Sequence, residues 1–138
     1  VPGSRLAPPE GMTHRRSYRA LVVEDDRAIL SLVKRVLERE NFIVEGVKDG
    51  VAAIELLREV VYDLLIIDLM LPDIRGDAVL GYLEENQTMP LRRVIVTTAS
   101  PRQLSCELLQ KICHILEKPF DIDRLVLVAR ECLDGDAA

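Results

Sequence analysis

Apolar and polar positions alternate in blocks along this chain. Ala20-Leu21-Val22-Val23 is a short apolar run that stops at acids, as a buried strand would. Ile29, Leu30, Leu32, Val33, Val36 and Leu37 follow at helical spacing. Phe42 to Val47 predicts a second strand, Asp49-Gly50 a turn, and residues 51–59 a second helix with Ile54 and Leu57 inward. Leu64-Leu65-Ile66-Ile67 is the most apolar run and belongs at the centre of a sheet. A loop with Pro72 and Gly76 precedes a helix over about 78–85, and residues 93–97 predict a fourth strand. A weak helix over 103–111, behind Pro101, leads to a fifth strand over 114–117. Asp121 is placed to cap a last helix that runs to about Leu133. Five strand–helix units in strict alternation with short loops predict an α/β fold, a parallel sheet with helices on both faces.

The pattern starts only after a different kind of segment. Pro2, Gly3, Pro8, Pro9 and Gly11 break any periodicity, so residues 1–18 are expected to be a disordered tail. Part of that tail reads as an expression scar, with Met12 a candidate natural start. Residues 19–134 form the expected domain and 135–138 a C-terminal tail. A length of 138 residues suits one domain, and 4% aromatic residues make its core mainly aliphatic. Four Arg and one Glu fall in residues 1–20, so a chain at −5 overall carries −8 over the remaining 118 residues. Such an acidic body argues against direct nucleic-acid binding. Apolar runs such as 125–129 are far too short to span a membrane, and no secretory signal is visible, which together predict a cytoplasmic protein. Cys106, Cys113 and Cys132 have neither CxxC nor metal-site spacing. They are expected to be free thiols in a reducing compartment, acting as small buried hydrophobes.

Sheets of this kind bind ligands beyond the carboxyl ends of their strands. Glu24-Asp25-Asp26 end the first strand, Asp68 the third, Thr97-Thr98 the fourth and Lys118-Pro119 the fifth. Any one of these has a plain structural use: strand-end Asp residues commonly cap helices, and Asp26 is placed to cap the first helix. Their convergence on one rim points to chemistry. Clustered carboxylates repel unless a cation is present, and Mg²⁺ seeks oxygen ligands and phosphate. An Asp nucleophile, a Lys and a hydroxyl donor beside such a cation suit aspartyl-phosphate formation.

The segments 21–26 (LVVEDD), 63–72 (DLLIIDLMLP), Gly76, Thr98-Ala99 and Lys118-Pro119-Phe120 resemble the receiver domains of two-component response regulators, of the chemotaxis-regulator type. The resemblance spans nearly the whole folded part. It implies a doubly wound, five-stranded parallel sheet of flavodoxin-like order 2-1-3-4-5. It also implies Asp68 as phospho-acceptor, Thr98 as switch hydroxyl and Lys118 as phosphate contact, with a cis Lys118-Pro119 bond. Mg²⁺ would be held by Asp25 directly, by Glu24 through water, by Asp68 and by the Met70 backbone carbonyl. The phosphoryl donor would be a histidine kinase or phosphotransfer protein, and the reader a downstream output domain or protein. A homodimer is one assembly the family allows. Such a module is not an enzyme in the usual sense, though it assists its own phosphorylation and dephosphorylation. The chain stops just after the fifth helix, so no output domain is expected within it.

Two positions depart from the family pattern. Ile115 stands where a Tyr or Phe is usual, three residues before the lysine, with His114 expected on the opposite strand face. Gln110-Lys111-Ile112-Cys113 replaces the usual Gly-Ala step. A pseudo-receiver that never takes up phosphate is therefore a competing reading. An aspartate-nucleophile phosphatase is a weaker one, because Met70 occupies the place of its general acid.

Overall fold

The computed structural model describes residues 17–134; both predicted tails, apart from residues 17 and 18, lie outside them. Strands β1 (Tyr18–Val23), β2 (Phe42–Val47), β3 (Leu64–Asp68), β4 (Val94–Thr98) and β5 (His114–Glu117) alternate with helices α1 (Arg27–Arg39), α2 (Gly50–Glu59), α3 (Gly76–Asn86), α4 (Cys106–Lys111) and α5 (Ile122–Asp134). The strands are all parallel and lie in the order β2-β1-β3-β4-β5. This is the predicted order. It leaves β3 central, flanked by β1 and β4, which fits its continuous apolar run.

Strand alternation divides the core into two layers. Leu21, Val23, Leu65, Ile67, Val94 and Val96 face α2 and α3, meeting Ala53, Leu57, Val79, Leu80 and Leu83. Ala20, Val22, Leu64, Ile66, Ile95 and Leu116 face the other way, onto Val33 and Leu37 of α1 and Leu125, Val128 and Ala129 of α5. Side chains in these layers are nearly all without solvent contact. An Arg130–Glu40 ion pair ties α5 to the end of α1.

Local chemistry sets the boundaries. Asp26 caps α1, accepting from Ala28 N (2.9 Å) and Ile29 N (3.1 Å). Asp121 does the same before α5 through Asp123 N (2.9 Å). Arg93 belongs to a 3₁₀ turn over Leu91–Arg93, which delays β4 to Val94. The predicted helix over 103–111 is divided: Pro101–Gln103 form a 3₁₀ turn, Leu104 is extended, and Ser105 then caps a six-residue α4. Pro101 suits the first position of a turn, and burial of Leu104 takes the chain out of helical geometry before α4.

The expectation for the cysteines is corrected. Cys113 and Cys132 are joined by a disulfide with a Cα–Cα distance of 5.9 Å, and Cys106 is an exposed free thiol, not a buried one. Topology brings the pair together: α5 runs back antiparallel to β5, so its last turn returns to the residue that precedes the strand. A separation of 19 residues conceals this in the sequence.

Candidate functional site

Alternation along the strands also decides which rim acids turn inward. Glu24 continues the row of Ala20 and Val22, and Asp68 the row of Leu64 and Ile66, both toward the α1/α5 layer. The register Val23↔Ile67 puts the two acids at the same level of neighbouring strands. Both are buried, at 3% and 5% exposure, in a rim where burial needs a partner. Lys118 is that partner. Its Nζ donates to Glu24 Oε1 (2.7 Å) and to Asp68 Oδ2 (2.8 Å) from 94 and 50 residues away. Lys118 is held in place by β5, whose Glu117 pairs with Thr98, and by its own N–H, which donates to Thr98 O (2.8 Å); the Lys118-Pro119 bond is cis.

The other oxygen of each carboxylate also accepts a bond. Asp68 Oδ1 accepts from Met70 N (3.0 Å), and Glu24 Oε2 accepts from Asp26 N (3.1 Å). Burial pushes the Glu24 carboxyl above its ordinary range, against the downward pull of the Lys118 bond. Burial also works against the Lys118 ammonium, but its bonds to Asp68 and Glu24 outweigh it and hold that pKa above the ordinary value. Asp25 is exposed, and carboxylate oxygens of Glu24, Asp25 and Asp68 lie within 4.8 Å of one another. Three hard oxygen donors in that space suit a small divalent cation.

Thr98 is fully buried, and its Oγ1 accepts from Ser100 N (3.0 Å). Thr97, its neighbour, pairs with Asp68 across the sheet. Met70 sits two residues past Asp68, with a half-exposed side chain. At the position of the missing aromatic, Ile115 packs against the α2/α3 layer. His114 faces the opposite way, 3.5 Å from Glu131 of α5. The predicted residues Glu24, Asp25, Asp68 and Lys118 are thus brought together, and Thr98 and Met70 lie on the adjoining strand end and loop.

Two residues of the β3–α3 loop were not singled out from sequence. Asp73 accepts from Gly50 N and Val51 N (2.9 Å each), which pins the loop to α2. Arg75 occupies the N-cap position of α3 without capping it. Its guanidinium instead reaches Met70 Sδ (3.5 Å) and Gln103 Oε1 (3.3 Å). An Arg where Ser, Thr, Asp or Asn is preferred was a visible signal for the second. A cavity of about 400 Å³ adjoins Lys118, lined by Ile29, Leu32, Phe120 and Ile122 among others. A larger one of about 550 Å³, near Leu83, Met89 and Lys111, brings none of the predicted residues together.

Known proteins resemble this chain in sequence and in fold. The family model for the response regulator receiver domain matches residues 20–130. The response regulator ArlR of Staphylococcus saprophyticus is 32% identical over 120 residues, covering 82% of this chain and 51% of ArlR. The transcriptional regulatory protein CpxR of Escherichia coli is 36% identical over 115 residues, covering 82% and 48% respectively. This chain therefore spans about half the length of the curated relatives it matches. Among solved structures, the response regulator TrrA of Thermotoga maritima, in complex with Mg²⁺-BeF, superposes with a TM-score of 0.74 at 26% identity, over 84% of this chain and 99% of TrrA. Among the described residues, no helix is long and apolar enough to cross a membrane.

Proposed function

This chain belongs to the response regulator receiver domain family of two-component signal transduction, and from that premise we propose that Asp68 takes a phosphoryl group from the phosphohistidine of a histidine kinase or phosphotransfer protein. The observation that carries the reading is a buried carboxylate, Asp68, with a lysine 2.8 Å away and two further carboxylates within 4.8 Å. Glu24, Asp25, Asp68 and the Met70 carbonyl are the groups that would hold Mg²⁺. Bound there, Mg²⁺ offsets the charge that carboxylates and phosphoryl oxygens would otherwise bring together.

Asp68 supplies the nucleophilic oxygen. The phosphorus–nitrogen bond of the donor breaks as a phosphorus–oxygen bond to Asp68 forms, and the bond's electron pair leaves with the imidazole. The Met70 N–H holds Asp68 Oδ1, which fixes the carboxylate's rotation during attack. Lys118 already touches Asp68, so its ammonium can pass to a phosphoryl oxygen with little movement. Thr98 accepts a bond from Ser100 N and keeps its own hydroxyl proton to donate to the new phosphate.

The added charge of roughly −1.5 to −2 biases the surrounding loops between two arrangements. An output domain or protein that prefers one of them reads the signal. The domain itself contacts no nucleic acid, acts in the cytoplasm, and can pair as a homodimer.

Acetyl phosphate with Mg²⁺ tests the reading. Wild type should gain a single phosphate, and Asp68→Asn, nearly isosteric, should gain none while keeping its fold. Release of many equivalents of inorganic phosphate would point to a phosphatase. No incorporation by wild type would favour the pseudo-receiver that Ile115 keeps in view.

A further inference from the structure

The first turn of a helix leaves backbone N–H groups without intrahelical partners. In α2 two carboxylates share them. Asp49, the N-cap residue, accepts from Ala52 N (2.8 Å). The N–H groups of Gly50 and Val51 are taken by Asp73, 23 and 22 residues further on, one to each oxygen (2.9 Å). The loop residue Ile74 lies directly on the helix start, since a Cβ on Gly50 would sit 2.3 Å from Ile74 Cγ1. The tip of the β3–α3 loop is therefore docked on α2 by a bidentate bond and a contact only glycine permits.

The other parts of the loop are fixed at its base. Leu69 N donates to Thr97 O (2.9 Å), and Gly76 N returns to Leu69 O (2.8 Å). Gly76 packs on the acceptor's own backbone, as a Cβ there would sit 2.7 Å from the Asp68 carbonyl oxygen. Met70 lies between the closed base and the docked tip. Its N–H is tied to Asp68, while its carbonyl shares a rigid peptide plane with Leu71, on the side of the loop that leads to Asp73.

We propose that Asp73 is a positioning residue for the divalent-cation site: by clamping the loop tip to the first two amides of α2, it aims the Met70 carbonyl and so sets the site's affinity for Mg²⁺. The inference rests on the proposed acceptor chemistry. Asp73 touches neither metal nor phosphate, and its effect passes through the loop.

Asp73→Asn is the direct variant. An amide has one acceptor oxygen, so an NH₂ group would face one of the two N–H groups and the clamp would open. Asp49→Ala is the control, because it removes the cap of the same helix start and leaves Asp73's bonds to Gly50 and Val51 in place. Titration of metal-free protein with MgCl₂, followed by amide chemical shifts, gives the affinity independently of phosphorylation. Asp73→Asn should weaken Mg²⁺ binding by about tenfold, the scale on which groups behind a metal ligand act. Hydrogen exchange in the metal-free variant should speed up at residues 50, 51, 70, 71 and 73–75. Asp49→Ala should lower the melting temperature but leave the affinity within about twofold, and Asp73→Glu, which keeps both oxygens, should recover most of the loss. Unchanged affinity in Asp73→Asn, or equal weakening in Asp49→Ala, would overturn the proposal. If wild type itself shows no Mg²⁺ binding in the millimolar range, the acceptor reading fails first and this inference with it.

Discussion

Lys118 is the residue on which the charge balance of the rim turns. It separates two buried carboxylates that would otherwise face each other, and its own side chain is only 18% exposed. Removing one partner from such a group leaves uncompensated buried charge, which costs about 3 kcal/mol. Lys118→Met should therefore destabilise the metal-free protein by about that amount in urea unfolding. Mg²⁺ should recover more stability in this variant than in wild type, because only there are the acids uncompensated. Asp73 shows the opposite electrostatic case. Amide bonds from Gly50 and Val51 hold this exposed carboxyl below its ordinary pKa. A lowered folded-state pKa adds stability that is present above the unfolded value, about 3.9, and lost as pH falls through the folded value. The stability gap between wild type and Asp73→Asn should accordingly be open at neutral pH and close in acid. A gap that persists unchanged to about pH 2 would mean that the carboxylate's charge contributes nothing to the clamp.

Most elements were legible because burial imposes a period. Each strand of the sheet has a face toward each layer, so β3 reads as an unbroken apolar run and its neighbours stop where the acids begin. The helix over 103–111 failed for the same physical reason. None of α4's six residues is buried, so no apolar stripe marked its true start, and the buried Leu104 before it belongs to an extended link. The convergence of Glu24, Asp25, Asp68 and Lys118 on one rim was recoverable from strand ends and sheet topology. Asp73 was not, because its amide partners lie more than twenty residues away; Arg75 bonds Met70 and Asp77 nearby, but its link to Gln103 spans 28 residues. The weakness of α4 has a dynamic counterpart. Little packing holds residues 99–111, so their exchange should be fast and should slow when a phosphate mimic draws Thr98 inward. Beryllofluoride-dependent hydrogen exchange would measure this, with Ile115 expected to change little. Protection that appears only around β5 would show that the signal leaves by another route.

At the scale of the whole molecule, net charge and a bound cation would act together. The acidic body raises the local concentration of cations, and three carboxylates at one rim are placed to hold one. Binding to the native state alone stabilises it by linkage, by about 1.4 kcal/mol at ten times Kd. For a domain of this size that is a rise in Tm of about 4 °C, which Asp25→Ala should abolish. A Tm indifferent to millimolar Mg²⁺ in wild type would count heavily against the pocket.

The bonds from Lys118 to Glu24 and Asp68 join the first, third and fifth strands across 94 and 50 residues. Contacts so distant in sequence come late in folding, after the loops between them have closed. During synthesis the acids emerge first and their lysine last, so a chain halted before β5 has Asp68 but no counter-ion for it. On the acceptor reading, competence to carry phosphate would belong to the finished sheet alone, and an unfinished copy would stay outside the signalling pool.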